Sequence, residues 1–304
     1  MTVLVTGATG NVGAHVVAEL RARGVSVRAF VRDPRRAAER LGDVELAVGD
    51  LADAASIRRA LAGVDRVFLS SADGPDKVEH EAAVIAAAAA AGVELIVKAS
   101  TMLAQAGSQM APLDWNGRSE EHLRQSGVPA VILASGFYMT NLLAALEPVA
   151  AQGVLPAPAG AGAIGMIDPR DVAAVGAVAL AGDGHAGRVY RLTGPEPVTY
   201  ADIADALGRA IGRQVEYVDV PPEAARAGME ATGMPAWLVD HLDRAFALVR
   251  VGALEETTDV VHAVSGREPR DIAAFAREVF APAAAAHQQQ VRPVFGYGEA
   301  GRRP

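Results

Sequence analysis

Short apolar runs rich in β-branched residues recur through the first 135 residues, at Val3–Val5, Val25–Val31, Val44–Val48, Val64–Leu69, Val93–Val97 and Val128–Leu133. Stretches with helical spacing separate them: Val12–Arg23, Ala54–Leu61, Val78–Ala91 and Trp115–Gln125. A strand that is apolar at nearly every position is buried on both faces. Alternated with helices, such strands predict a parallel sheet covered on both sides. Gly24, Gly92 and Gly127 each stand between a helix and the next strand, where a left-handed cap is wanted. The expectation is an α/β fold: a Rossmann-type, doubly wound parallel sheet over residues 1–135.

Beyond Leu133 the pattern loosens. Residues 153–165, rich in Gly, Pro and Ala, predict a loop around a short strand. Asp168 and Pro169 read as cap and first turn of a helix reaching Leu180, and Val189–Leu192 as a strand. Thr199, followed by Asp202, opens a helix ending near Gly212; Val215–Val220 reads as a strand, and Pro235–Val251 and Arg270–Phe280 as helices. Residues 136–281 are therefore expected to form a smaller mixed α/β lobe, interleaved with the first domain and covering the carboxyl ends of its strands. Residues 282–304, with their Ala and Gln runs, are expected to be an extended or disordered tail.

Composition narrows the function. With 304 residues, 51% of them hydrophobic, the chain can bury a sizeable core. A net charge of −8 argues against a nucleic-acid partner, which would require a basic face. The absence of cysteine removes disulfides, thiolate metal sites and a Cys nucleophile. The seven His show no metal-ligand spacing, and no G-x-S-x-G elbow is present. The apolar run Ala82–Ala91 is too short to span a membrane, and a strand pattern already starts at Thr2, so a soluble, cytoplasmic protein is expected.

The chemistry begins at Thr6-Gly7-Ala8-Thr9-Gly10-Asn11-Val12-Gly13, which joins the first strand to the first helix. Phosphate oxygens need backbone N–H donors and a main chain that approaches closely, and a helix N-terminus adds partial positive charge. Gly7 suits the tight turn, Gly10 the approach to a pyrophosphate, and Gly13 close packing of helix on strand. Thr9, Asn11 and Val12 share the turn. At the first βα turn of a repeating βα chain, this points to a dinucleotide.

The G-x-x-G-x-x-G spacing resembles extended and atypical short-chain dehydrogenase/reductases. Further pieces resemble the NmrA-like family within them: Val31-Arg32-Asp33-Pro34, Gly49-Asp50-Leu51, Val97-Lys98-Ala99-Ser100, Ser126-Gly127-Val128-Pro129, Gly136–Asn141, Ile167–Val172 and Ser265–Arg270. That family includes NADPH-dependent quinone reductases, azoreductase-like enzymes and cofactor-sensing regulators. The resemblance covers about residues 1–280. It implies cofactor contacts from Asp50 and Leu51 after the third strand, Ser70 after the fourth, Lys98 on the fifth, and Gly136 and Phe137 after the sixth.

The form of the dinucleotide is read at the end of the second strand. NAD-preferring enzymes place Asp or Glu there to accept from the ribose hydroxyls. Here Val31 occupies that place and Arg32 follows, able to fork onto a 2′-phosphate. NADP(H) is the expected cofactor. Asp33 remains an alternative ribose acceptor, Arg35 and Arg36 are either phosphate contacts or a solvated helix start, and Asp50 either an adenine contact or a cap. Lys98 either meets the cofactor or pairs with a carboxylate.

The usual proton relay is missing. Ordinary short-chain reductases carry Tyr-x-x-x-Lys on the helix before the sixth strand. That helix reads Asp114-Trp115-Asn116-Gly117-Arg118-Ser119-Glu120-Glu121-His122, without Tyr or Lys. The resemblance implies His and Glu four apart here, and the matching positions are Asn116 and Glu120. Asn116, Ser100 and Tyr138 are the candidates for contact with the reacting group; Met102, Trp115, Tyr138 and Trp237 are candidates for a pocket accepting a flat molecule, with interlobe core as the alternative. His80, between Glu79 and Glu81, is expected on a solvated helix face. Two classes of function stay open: an NADPH-dependent reductase of a quinone-like or conjugated carbonyl compound, and a non-catalytic NADP(H) sensor with a protein partner. A tailoring role in small-molecule biosynthesis is a third.

Overall fold

The computed structural model describes residues 1–291. The strands are β1 (Thr2–Val5), β2 (Ser26–Val31), β3 (Glu45–Val48), β4 (Arg66–Leu69), β5 (Leu95–Thr101), β6 (Ala130–Ser135), β7 (Phe137–Tyr138), β8 (Val154–Ala157), β9 (Ala163–Ile164), β10 (Met166–Ile167), β11 (Val189–Leu192), β12 (Val198–Thr199) and β13 (Glu216–Asp219). Seven form one parallel sheet in the order β11-β6-β5-β4-β1-β2-β3. The order reverses between β1 and β4, and the carboxyl ends there open a crevice.

The helices follow as α1 (Gly13–Ala22), α2 (Pro34–Leu41), α3 (Ala54–Ala60), α4 (Lys77–Ala91), α5 (Ala111–Gln125), α6 (Pro169–Ala181), α7 (Tyr200–Ile211), α8 (Pro222–Ala231), α9 (Ala236–Arg250), α10 (Val260–Ser265), α11 (Ile272–Phe275) and α12 (Ala281–Val291). Strand alternation sends Val3, Val5, Val31 and Val97 to a core with α1 and α6, and Leu4, Phe30, Val67 and Ile96 to one with α3 and α4. Both faces are covered, as the continuous apolar strands require. A third core, with Ile164, Ile203, Leu207 and Phe275, lies among the elements that follow β6.

Gly24, Gly92 and Gly127 have φ of +73°, +75° and +74°. Asp168 caps α6 through the Arg170 N–H, and Thr199 and Asp202 form a reciprocal capping box at α7. Val189–Leu192, read from the sequence as a strand, is the seventh strand of the main sheet, paired with β6. The tail expectation needs correction for its first part. Ala281–Val291 is helical, with Ala284 buried and Gln288 Nε2 donating to the Ala150 carbonyl at 3.2 Å. Residues 292–304 lie outside the described residues. No described helix is long and apolar enough to cross a membrane.

Candidate functional site

A cleft of about 980 Å³ runs from the glycine turn, across the carboxyl ends of the central strands, to α9. At its floor the Gly10 N–H donates to the Gly7 carbonyl at 2.8 Å and Gly7 adopts φ +58°. A Cβ on Gly7 would stand 2.8 Å from the Ser70 carbonyl oxygen, and one on Gly13 would overlap the Gly7 carbonyl. Thr6 Oγ1 locks this turn to β4, donating to the Ser70 carbonyl at 2.8 Å and accepting from its N–H at 2.9 Å. Gly7, Thr9, Gly10, Asn11 and Val12 line the cleft; Gly13 serves packing below it. This cradle, which added Cβ atoms would crowd, fits a pyrophosphate.

Arg32 lines the cleft, is exposed, and has no ion-pair partner among the described residues. Asp33 points elsewhere: its carboxylate caps α2, accepting from the Arg35 and Arg36 N–H groups at 2.9 and 3.2 Å. Asp33 is not among the cleft-lining residues. Arg35 and Arg36 stand at that helix start and are not among the cleft-lining residues. Asp50 both lines the cleft and accepts from the Ala52 N–H at 2.9 Å. Leu51, Ser70, Gly136 and Phe137 also line it.

Lys98 requires a correction. It does not line the cleft; fully buried beneath it, its ammonium lies 3.0 Å from Glu81 and donates to Asn116 Oδ1 at 2.9 Å and to the Ala99 carbonyl at 3.0 Å. A buried cation requires such a partner. The chain has only two lysines, and the other, Lys77, also lies 3.0 Å from Glu81, with Asp73 at 3.4 Å. Burial alone would raise the Glu81 carboxyl. Lys98 and Lys77, with a hydrogen bond from Ser71, bring it down to about 2. Burial pushes the Lys98 ammonium below its ordinary value against Glu81, whereas at Lys77 the carboxylates outweigh burial and raise it.

Sequence reasoning placed the start of α4 in solvent and missed Glu81, Lys77 and Asp73. His80 also lines the cleft. The available signal was the four-residue spacing of Lys77 and Glu81, which places an opposite-charge pair on one face of a helix.

Asn116 lines the cleft and is held at both ends. Nδ2 donates to the Pro112 carbonyl at 2.9 Å, while Oδ1 accepts from Lys98. An ammonium group only donates, so the amide cannot flip, and one N–H remains for a ligand. Ser100 Oγ donates to Glu120 Oε1 at 2.5 Å, tying β5 to α5. Tyr138 lines the cleft, and burial pushes its phenol up.

Met102 and Trp237 line the apolar half. Trp115 does not: it is buried and packs edge-on against Trp237 of α9, with ring centroids 5.0 Å apart. Leu103, at φ +63° the one non-glycine residue with positive φ among the described residues, stands at the cleft in a conformation unfavourable for its side chain.

The NmrA-like family profile matches residues 1–280. The chain is 36% identical over 276 residues to the NAD(P)H azoreductase of Xenophilus azovorans, covering 90% of this chain and 96% of that one. It is 37% identical over 284 residues to the (4-alkanoyl-5-oxo-2,5-dihydrofuran-3-yl)methyl phosphate reductase of Streptomyces griseus, covering 92% and 99%. The fold superposes on the NADPH-dependent quinone oxidoreductase of Escherichia coli complexed with NADPH, with a TM-score of 0.81 and 29% identity, covering 91% of this chain and 99% of that one.

Proposed function

The chain belongs to the NmrA-like family, and on that premise we propose that it uses NADPH to reduce a flat conjugated carbonyl or quinone-like compound without a Tyr/Lys relay. Its class is that of its relatives, an NADP(H)-dependent oxidoreductase acting on small molecules. The observation that carries the reading is that one cleft is lined both by the glycine turn with Arg32 and by an apolar wall with Asn116.

NADPH, when bound, supplies a hydride. The backbone at residues 7–12 would hold the pyrophosphate, and Arg32 would supply the charge for the 2′-phosphate. The remaining N–H of Asn116 meets the acceptor's carbonyl oxygen, in an orientation fixed by Lys98. Met102 and Trp237 keep water from the acceptor. Hydride addition to a conjugated acceptor leaves an anion whose charge is delocalised over the ring, and which takes its proton from water as the product leaves. One donated hydrogen bond then meets much of the need that an isolated ketone would place on an acid.

The test is NADPH oxidation by the purified protein against a panel of quinones, enones and azo compounds. Turnover with at least one class is expected. Tight NADPH binding without any turnover would overturn the reductase reading in favour of a cofactor sensor.

A further inference from the structure

Helix α9 gives the cleft Trp237, Leu238, His241, Leu242, Ala245 and Leu248, one helical face with a single strongly polar member. His241 Nδ1 is enclosed with no hydrogen-bond partner among the described residues, and its Nε2 makes no hydrogen bond to them either. A polar atom enclosed without a partner is costly, and protonating the ring would place a second N–H in that position. Burial accordingly lowers the His241 pKa, against the opposing charge of Asp73, and the imidazole is neutral.

The cleft-lining cations near this wall are already matched, and Arg244 of α9, which is not among the cleft-lining residues, donates to Gln109. Arg191 is bound to Glu256 through two hydrogen bonds, and Lys77 to Glu81 and Asp73. Arg32 belongs to the turn at the end of β2. A charged substituent against α9 would lose hydration without gaining a counter-ion.

We propose that His241 is a substrate-contact residue, which with Nδ1 enclosed uses Nε2 to hydrogen-bond an oxygen or nitrogen of an uncharged aromatic acceptor, and that the α9 wall selects against charged acceptors. The assignment rests on the reductase reading for its chemistry, but its binding prediction is separable.

Three acceptors of one skeleton test it: a naphthoquinone, its derivative with a non-acidic phenolic hydroxyl, and its sulfonate. In the wild type, kcat/KM should be roughly three- to tenfold higher for the hydroxylated compound than for the parent, the worth of one neutral hydrogen bond. The sulfonate should fall about tenfold or more below the parent, for want of a counter-ion. His241→Phe should abolish the preference for the hydroxyl while leaving the NADPH dissociation constant unchanged. Retention of that preference by His241→Phe, or equal or better use of the sulfonate by the wild type, would overturn the proposal. Quenching of Trp fluorescence by the same compounds, with NADP⁺ bound, reads the site without turnover. The same ranking is expected there. If binding ranks as stated and nothing is reduced, only the reductase reading fails; if the ranking is absent, the role of His241 fails.

Discussion

Arg32 and Asp33 are neighbours with separate tasks: the guanidinium faces the cleft unpaired, and the carboxylate is occupied in capping α2. Arg32→Ala should therefore weaken NADPH by about 1.5–3 kcal/mol, the worth of a charge-assisted hydrogen bond, and leave NADH nearly unchanged. Titration of the two cofactors checks it, and equal weakening would refute the assignment. Glu81 is the other decisive residue. Glu81→Gln leaves the fully buried Lys98 ammonium without a charged partner and Lys77 with Asp73 alone, and should cost about 3–5 kcal/mol in urea unfolding at neutral pH. The folded carboxyl sits at about 2, below its ordinary 4.5. Its contribution is thus fully present above 4.5 and is lost as pH falls toward 2, so the gap between wild type and variant should close over that interval. The place of Arg32 at the cleft was legible because it directly follows the end of the second strand. Glu81 was not, because Glu79-His80-Glu81 looks the same whether the helix start faces water or a cleft.

The β1–α1 unit depends on contacts too close for any side chain. Gly13→Ala would drive a methyl group into the Gly7 carbonyl. It should cost about 1–3 kcal/mol of stability by overpacking and also weaken NADPH, a pairing that thermal melts and titration would reveal. Strands and helices of the βα repeats were readable from their apolar runs, and α7 from its Thr199/Asp202 box. Helix α8 escaped notice because the Pro221-Pro222 pair reads as a loop, although proline is well suited to a helix start. The beginning of α12 was mistaken for tail because its alanines show no amphipathic stripe. Their high helix propensity and the docked Ala284 decide the matter instead. The edge strand β11 could not be assigned to the main sheet from periodicity, since its pairing with β6 joins residues far apart in the chain.

For the molecule as a whole, cofactor and fold are linked. NADPH at a hundred times its dissociation constant should add about 2.7 kcal/mol of stability. In differential scanning fluorimetry it should raise Tm more than the same concentration of NADH; equal shifts would count against selection at Arg32. Helix α9 also meets α5 and the segment before it, through the Trp115–Trp237 contact and the Arg244–Gln109 hydrogen bond at 3.1 Å. Trp237→Ala should raise KM for the acceptor while sparing NADPH affinity, which steady-state kinetics would resolve. The helix bearing Trp237 supplies none of the phosphate cradle. A lineage could therefore retool its chemistry by redrafting a few turns between residues 237 and 248 while inheriting an unchanged power supply, and grafting that stretch between relatives offers a direct route to exchanging their diets.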